Sequence, residues 1–287
     1  MSDILTRNGF SFNKKYGQNF LQDVKIPRRI AAECSAYPAT EAEKIPALIL
    51  EIGPGAGILT KELAAVFERV VAVEIDTSLS PVLAESLADT PNAEVVFGDI
   101  METDIPSLLD ERRMTSDGRK LPVTVCANLP YYITTPILMK LLESHYDFDY
   151  ITVMVQKEVA VRLTSAPGSA EYGAITAAVG LYATVKRLFT VPSGCFYPRP
   201  KVDSAVIRFT RHKPSLYTPE QIARTSSLIK AAFSVRRKTL VNALSGAGYD
   251  KNAVLAALEA NGHKPEIRGE TLSTAAFVSL ADTLITC

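Results

Sequence analysis

Short apolar runs alternate with helix-like segments between about residues 47 and 210, and this rhythm restricts the fold more than any other feature of the chain. A strand, a helix and a second strand in succession form the βαβ unit of a mostly parallel sheet. The sequence therefore predicts an α/β domain here. The predicted strands are 47–52, 70–75, 93–97, 123–127, 150–155 and 201–210, whereas 174–182 fits a helix and a strand equally well.

The pattern becomes helical after a predicted linker at 211–214. Thr218 offers an N-cap, Pro219 suits the first helical position, and Gln221 completes a capping box. We expect the helix that begins there to continue to about Leu244 and to end near the next glycines. Two more helices are predicted at 252–261 and 273–285. The predicted organisation is one α/β domain at 1–212 and one small all-helical domain at 213–287.

Composition and cysteine spacing exclude several classes of protein. The chain has 287 residues, of which 47% are apolar and 22% charged, which is typical of a folded globular protein. No apolar run is long enough to predict a membrane span, and the first residues lack the apolar core of a signal peptide. Four widely spaced cysteines and three scattered histidines predict neither disulfides nor a metal site. We therefore expect a cytoplasmic protein with reduced thiols.

The zero net charge conceals a strong asymmetry along the chain. Residues 61–118 carry 13 acids and 4 bases, whereas residues 186–245 carry 12 bases and 2 acids. Residues 1–30 add six bases against two acids. Such a distribution predicts a surface that faces a polyanion, with chance clustering of solvated charges as the alternative.

A glycine-rich turn follows the first predicted strand in "ALILEIGPGAGILTKEL". Glycines let the backbone pass close to a ligand and direct amide groups at it. Glu74 ends the next strand, 21 residues after Gly53, where a carboxylate can accept both hydroxyls of an adenosine ribose. The spacing is GxGxG rather than the GxGxxG of dinucleotide sites, which favours S-adenosylmethionine over a nicotinamide cofactor. A tight turn without a ligand is the alternative.

Two more strand ends carry polar residues that suit a nucleoside. Asp99 follows the third predicted strand and suits the adenine amino group of the cofactor, although an Asp there is more often a cap or turn residue. The fourth strand ends in Asn128-Leu129-Pro130-Tyr131. The side-chain oxygen of Asn128 and the carbonyl of Leu129 can accept the hydrogens of an adenine amine, and Tyr131 offers a ring for a flipped base. By itself, such a segment is more often an ordinary proline turn.

The motifs, taken in order, resemble those of the ribosomal RNA adenine dimethyltransferases over nearly the whole chain, most closely the bacterial members. They are KKYGQNFL (14–21), LEIGPGAGILT (50–60), VEID (73–76), GDI (98–100), NLPYYITTPIL (128–138), QKEVAVRL (156–163), YGAIT (172–176), FYPRPKVDSAV (196–206) and RRKTLVNAL (236–244). The departure from some relatives is Tyr132, where those carry Asn. The resemblance implies a Rossmann-like S-adenosylmethionine-dependent methyltransferase fold with a mostly parallel seven-stranded sheet, preceded by an N-terminal extension. It also implies that the helical domain binds rRNA or the ribosome.

The resemblance implies an activity as well, namely transfer of methyl groups to two adjacent adenosines near the 3′ end of small-subunit rRNA in a pre-assembled 30S-type particle, by a protein that is monomeric when free. Its implied catalytic residues are Asn128, Leu129, Tyr131 and Phe196, the last as a second aromatic wall. Its implied cofactor contacts are Gln18, Asn19, Leu21, Gly53, Gly55, Glu74, Asp99 and Asn128.

Basic residues near both ends of the chain are candidates for phosphate contacts, because RNA binding draws on Lys and Arg. They are Lys14, Lys15, Arg28, Arg29, Lys201, Arg236, Arg237 and Lys238. The last three are expected on one helix, where they cannot all face RNA.

Three alternatives remain open from the sequence. The first is the related enzyme that methylates large-subunit rRNA and confers macrolide resistance. The second is an rRNA-binding assembly factor without turnover, although such a protein is expected to have lost the Asn128–Tyr131 motif. The third is a nicotinamide-dependent dehydrogenase, which is disfavoured because no histidine lies near the predicted crevice in the sequence.

Overall fold

The computed structural model describes residues 2–10, 18–34, 44–144, 146–235 and 238–286. The chain divides into two compact units. One comprises Met1–Ala160 and Lys186–Thr210, and the other comprises Val161–Val185 and Arg211–Cys287. The strands are β1 (Phe20–Leu21), β2 (Ile45–Ile52), β3 (Phe67–Glu74), β4 (Ala93–Phe97), β5 (Val123–Asn128), β6 (Phe148–Gln156), β7 (Ala183–Val191), β8 (Phe196–Tyr197) and β9 (Ser204–Arg211).

Helices connect most of these strands. They are α1 (Ser2–Arg7), α2 (Lys25–Glu33), α3 (Ile58–Val66), α4 (Ser80–Ser86), α5 (Ile105–Leu109), α6 (Thr134–Glu143), α7 (Lys157–Leu163), α8 (Ala174–Val179), α9 (Pro219–Ala232), α10 (Leu240–Gly246), α11 (Lys251–Ala260) and α12 (Thr274–Thr286). None of the helices in the described ranges is both long and apolar enough to cross a lipid bilayer.

The first unit is built on a seven-stranded sheet with the order β4-β3-β2-β5-β6-β9-β7. The pairs from β4 to β6 are parallel, and β9 runs antiparallel to β6. The central strands are largely apolar because helices cover both faces of a parallel sheet. Leu48, Ile49 and Leu50 in β2 are fully buried. The predicted fold class, a mostly parallel seven-stranded α/β sheet, is confirmed.

The second unit contains α8 and the four C-terminal helices around a core that includes Leu228, Leu244 and Phe277. Hydrogen bonds join its two chain segments, since Tyr172 Oη donates to the carbonyl of Leu272 at 2.9 Å. Residues 161–185 therefore pack with this unit, although they precede the predicted boundary at residue 212. The ambiguous segment at 174–182 begins as a helix, and the predicted role of 213–287 in rRNA binding stays a prediction.

The predicted capping box of α9 is confirmed, because Thr218 Oγ1 accepts from the Gln221 backbone N–H and Gln221 Oε1 accepts from the Thr218 N–H. The prediction of one helix to about Leu244 is wrong. Helix α9 ends at Ala232, and Thr239 caps a separate helix, α10, by accepting from Asn242 N–H. Lys238 lies between these helices rather than on one.

Candidate active site

A cleft opens at the carboxyl ends of four adjacent strands, β4, β3, β2 and β5. The chain order reverses between β2 and β5, and such a switch point is where open parallel sheets bind ligands. The residues that line the cleft come mainly from the strand ends and the loops that follow them, with others from the segment around β1 and from the first turn of α6. They are Gln18, Asn19, Phe20, Ile52, Gly53, Gly55, Val73, Glu74, Ile75, Leu79, Gly98, Asp99, Ile100, Asn128, Leu129, Pro130, Tyr131, Tyr132, Ile133 and Ile137.

The glycine turn forms the floor of this cleft after β2. Gly53 and Gly55 have φ angles of 72° and 57°, a backbone region that other residues rarely adopt. A Cβ atom at Gly55 would lie 2.6 Å from Cε1 of Phe20, whereas one at Gly53 would meet no atom within 4 Å. Glycine at 55 therefore allows the Phe20 ring to pack on the turn, and glycine at 53 keeps space open beside the backbone.

Glu74 connects the glycine turn to the end of β3. Its Oε2 accepts from Gly55 N–H at 3.1 Å, and its Oε1 accepts from Asp76 N–H at 2.9 Å. Burial raises the pKa of this carboxyl, while the two amide donors oppose the shift. These two hydrogen bonds hold Glu74 in one orientation. Each carboxylate oxygen keeps a second lone pair, so the side chain can still accept two hydroxyl groups.

Asp76 holds the segment before β1 against the cleft. Gln18 Nε2 donates to Asp76 Oδ2 at 2.7 Å, and Asp76 Oδ1 accepts from the backbone and the hydroxyl of Ser78. Asp76 is 5% exposed, so these charge-assisted bonds lie largely out of water. Asp76 had no predicted role beyond its place in the VEID motif.

Asp99 is both a turn residue and a cleft residue. Its Oδ1 accepts from Met101 N–H at 2.8 Å, the side-chain geometry that stabilises a turn after a strand. The same side chain lines the cleft. Oδ2 remains as an acceptor for an amino group.

The segment 128–131 forms the wall of the cleft after β5. Asn128 Nδ2 donates to the backbone carbonyl of Asn19 at 3.2 Å, which leaves Oδ1 as the acceptor that this side chain offers. The carbonyl of Pro130 accepts from Ile133 N–H and Thr134 Oγ1, which closes a turn immediately before α6. The hydroxyl of Tyr131 bonds Ser204 Oγ at 2.9 Å, which fixes the tyrosine ring in the wall.

Nine of the predicted site residues are brought together by this arrangement: Gln18, Asn19, Gly53, Gly55, Glu74, Asp99, Asn128, Leu129 and Tyr131. Leu21 and Phe196 are not among the lining residues. They are partners in the β1–β8 ladder, are 5% and 3% exposed, and belong to the apolar core. A stacking role for Phe196 therefore requires its side chain to move, and the roles of both residues stay predictions.

The predicted RNA-binding residues have different surroundings. Arg28 pairs with Glu62 at 3.2 Å but keeps 76% of its side chain exposed, whereas the Arg29 guanidinium lies 3.9 Å from the centre of the Phe189 ring. Lys201 and Lys238 are exposed. Lys14, Lys15, Arg236 and Arg237 lie outside the described residues.

Glu51 is a buried acid that the sequence analysis missed. It lies two residues before Gly53, is 0% exposed, and neither carboxyl oxygen has a hydrogen-bond partner within the part of the chain that the structure describes. Burial raises the pKa of Glu51 to about 8. The nearby Thr60 hydroxyl partly offsets this rise, although it is not placed to form a hydrogen bond with the carboxyl group. The available signal was a charged residue inside the apolar run ALILEI.

Among the described residues, no group of three or more His, Cys, Asp or Glu side chains is placed to hold a metal ion.

Comparison with known proteins identifies relatives that match this chain over nearly its full length and that share one name. The family model described as "Ribosomal RNA adenine dimethylase" matches residues 9–284. A protein named "Ribosomal RNA small subunit methyltransferase A" from Shouchella clausii is 44% identical over 98% of this chain and 92% of its own length. A protein of the same name from Pelotomaculum thermopropionicum is 42% identical over 99% and 95%.

Two solved structures share the fold of this chain, and their names describe two different activities. A dimethyladenosine transferase from Plasmodium falciparum has a TM-score of 0.71, at 26% identity, over 91% of this chain and 95% of its own. The 23S rRNA methyltransferase ErmE has a TM-score of 0.69, at 27% identity, over 93% and 99%. The two scores are nearly equal, so the fold alone does not select a substrate.

Proposed function

The chain belongs to the ribosomal RNA adenine dimethylase family, and we propose that it methylates the exocyclic amines of two adjacent adenosines near the 3′ end of small-subunit rRNA. It is an S-adenosylmethionine-dependent methyltransferase. The observation that carries the proposal is the amide of Asn128, fixed by its 3.2 Å bond to Asn19 beside the carboxylates of Glu74 and Asp99 in one cleft.

The cleft fits S-adenosylmethionine by the chemistry of its donors and acceptors. Glu74 presents lone pairs suited to two ribose hydroxyls, and Asp99 presents a free carboxylate oxygen suited to the adenine amine. Ile52, Val73 and Ile100 supply apolar walls between these acceptors. The open space beside Gly53 suits the methionine portion. When bound, the cofactor supplies an electrophilic methyl group on a positively charged sulfur.

Asn128 and Leu129 act on the target amine. The lone pair of an adenine amine is delocalised into the ring, so the nitrogen is a poor nucleophile until it becomes pyramidal. Acceptance of its two hydrogens by Asn128 Oδ1 and the Leu129 carbonyl favours the pyramidal form. Both hydrogen bonds strengthen as positive charge develops on the nitrogen, so they stabilise the transition state more than the ground state.

Tyr131 provides the surface for the base. Its ring is held by the 2.9 Å bond to Ser204, so a flipped base can stack without first ordering the side chain. The proton of the alkylated amine is acidic and leaves to solvent, and the mechanism therefore needs no strong general base.

The named relatives favour the small subunit as the source of the substrate. Both curated relatives described above carry small-subunit names at more than 40% identity, whereas ErmE, with its 23S rRNA name, is 27% identical. We further propose that the substrate is a pre-assembled 30S-type particle, that the free protein is a monomer, and that it acts in the cytoplasm. The helical unit and the exposed bases Arg28, Lys201 and Lys238 are proposed to contact the RNA.

Labelled S-adenosylmethionine and subunits that lack these methyl groups test the substrate directly. We expect label in small subunits, in two adjacent adenosines, and none in large subunits. Label in the large subunit alone would establish the macrolide-resistance activity instead. Cofactor binding in calorimetry without transfer to either subunit would support an assembly factor, which the intact Asn128–Tyr131 segment disfavours.

Replacement of Glu74 by Ala is expected to weaken cofactor binding by about 10²-fold or more, because two hydrogen bonds to a charged acceptor are each worth about 1.5–3 kcal/mol. Titration calorimetry with S-adenosylmethionine measures the loss. Glu68→Ala, on the same strand but at its opposite end, is the control and should bind normally. Unchanged affinity in the Glu74 variant would remove this residue from the site.

A further inference from the structure

Tyr132 is an exposed aromatic side chain at the mouth of the cleft. It lines the cleft next to Tyr131, yet 61% of it is accessible to solvent. Tyr131 has its hydroxyl bound to Ser204 and is partly buried, so two consecutive tyrosines have different surroundings. An aromatic ring exposed to this degree beside a binding cleft is available to stack on a ligand that extends beyond it.

The backbone that carries Tyr132 is fixed before any ligand binds. The carbonyl of Pro130 accepts from Ile133 N–H at 3.2 Å and from Thr134 Oγ1 at 3.1 Å, which closes a turn around residues 131 and 132. Helix α6 begins at once after this turn. The ring is therefore attached to a rigid backbone position, which lowers the entropic cost of binding.

Two segments linked to other residues of the cleft also carry exposed apolar side chains. Tyr197 is 48% exposed and pairs in the β1–β8 ladder with Phe20, which lines the cleft. Val202 is 45% exposed and lies two residues before Ser204, the partner of Tyr131. Apolar and aromatic exposure thus accompanies the cleft wall on both of its neighbouring segments, as in surfaces that bind unstacked nucleotides.

We propose that Tyr132 is a positioning residue that stacks on the base adjacent to the adenosine in the cleft. This inference rests on the proposed function, in which two neighbouring adenosines are modified. When one base leaves the RNA stack to enter the cleft, its neighbour loses a stacking partner. Tyr132 replaces that partner and holds the second adenosine beside the site.

Replacement of Tyr132 by Ala is expected to raise the KM for small subunits that lack the two methylated adenosines by about 10- to 100-fold, the effect of stacking one base. We expect kcat to change by less than about threefold, because the groups that contact the amine remain. Tyr132→Phe keeps the ring and should restore the wild-type KM. The affinity for S-adenosylmethionine, measured by calorimetry, should be the same in all three proteins.

Met114→Ala is the matched control. Met114 is 42% exposed and lies in the same unit, and its carbonyl accepts from Arg69 near the amino end of β3, opposite the cleft. Its KM should equal that of the wild type. A wild-type KM for Tyr132→Ala, or an equal loss in Tyr132→Phe, would overturn this inference while the proposed function stands. A wild-type protein that labels only large subunits would overturn both.

Discussion

Replacement of Asn128 by Ala is expected to lower kcat by about 10²–10³-fold and to weaken the binding of S-adenosylmethionine far less. The magnitude is that of removing one preorganised hydrogen bond to a charge that develops in the transition state. The selectivity follows from geometry, because Asn128 Nδ2 is already committed to the Asn19 carbonyl and its Oδ1 is assigned to the target amine. Single-turnover kinetics on small subunits and calorimetry with the cofactor measure the two effects separately.

Asn92→Ala provides a matched control for the loss of an asparagine. The Asn92 amide donates to the carbonyls of Ala64 and Phe67 at 2.9 and 3.0 Å, just before β4 at the amino edge of the same sheet. The Asn92→Ala replacement should lower the free energy of unfolding, but the folded variant should keep the wild-type kcat. Equal losses of turnover and cofactor affinity in Asn128→Ala would contradict the proposed role and indicate a structural one.

The inner strands of the cleft, β2, β3 and β5, were predictable because a parallel sheet covered on both faces favours long apolar runs. The strand predicted at 93–97 has the bounds of β4, and the predicted strand at 123–127 extends in β5 by one residue, to Asn128. The polar strand ends then meet at one edge of the sheet, whatever the details of the helices. This is why Glu74, Asp99 and Asn128 could be assigned to one cleft from their positions in the sequence alone.

Elements decided by local detail were less predictable. Strand β7 was missed because Lys186, Arg187 and Thr190 interrupt its apolar pattern, as an edge strand with one exposed face permits. The separation of α9 from α10 depends on the Thr239 cap, which competes with a sequence that otherwise favours one helix. Leu21 and Phe196 could not be placed from the sequence, because their mutual pairing joins segments far apart in the chain.

Glu51 is a buried carboxyl group in β2, the strand that leads into the glycine turn of the cleft. Its register partners are Ala72 in β3 and Cys126 in β5, and Cys126 is itself buried. Within the described part of the chain the carboxyl group has no hydrogen-bond partner, and desolvation raises its pKa to about 8, with a further contribution from the charge of Glu74. An unpaired carboxyl in this position is costly to ionise, so it is protonated at neutral pH in the folded protein.

The expected consequence is a pH-dependent loss of stability that Glu51→Gln removes. In the unfolded chain this carboxyl ionises near pH 4.5, whereas in the folded chain it ionises near pH 8. Between these values the folded state binds one more proton, so the unfolding free energy falls as pH rises and levels off above pH 8. The shift corresponds to about 5 kcal/mol, at 1.36 kcal/mol per pKa unit. Glutamine does not ionise and should not show this loss.

Urea denaturation of the full chain at pH 5 and pH 8.5 gives the free energy of unfolding of the variant and of the wild type. The effect is the amount by which the difference between these two free energies changes from one pH to the other. We expect Glu51→Gln to gain several kcal/mol relative to wild type between the two pH values, with an unchanged dependence on urea. Glu143→Gln is the control, because Glu143 is an exposed side chain at the end of α6, and a surface carboxylate contributes less than about 1 kcal/mol. Parallel pH curves for Glu51→Gln and wild type would show that Glu51 is ionised in the folded protein, with a cation or water that compensates its charge.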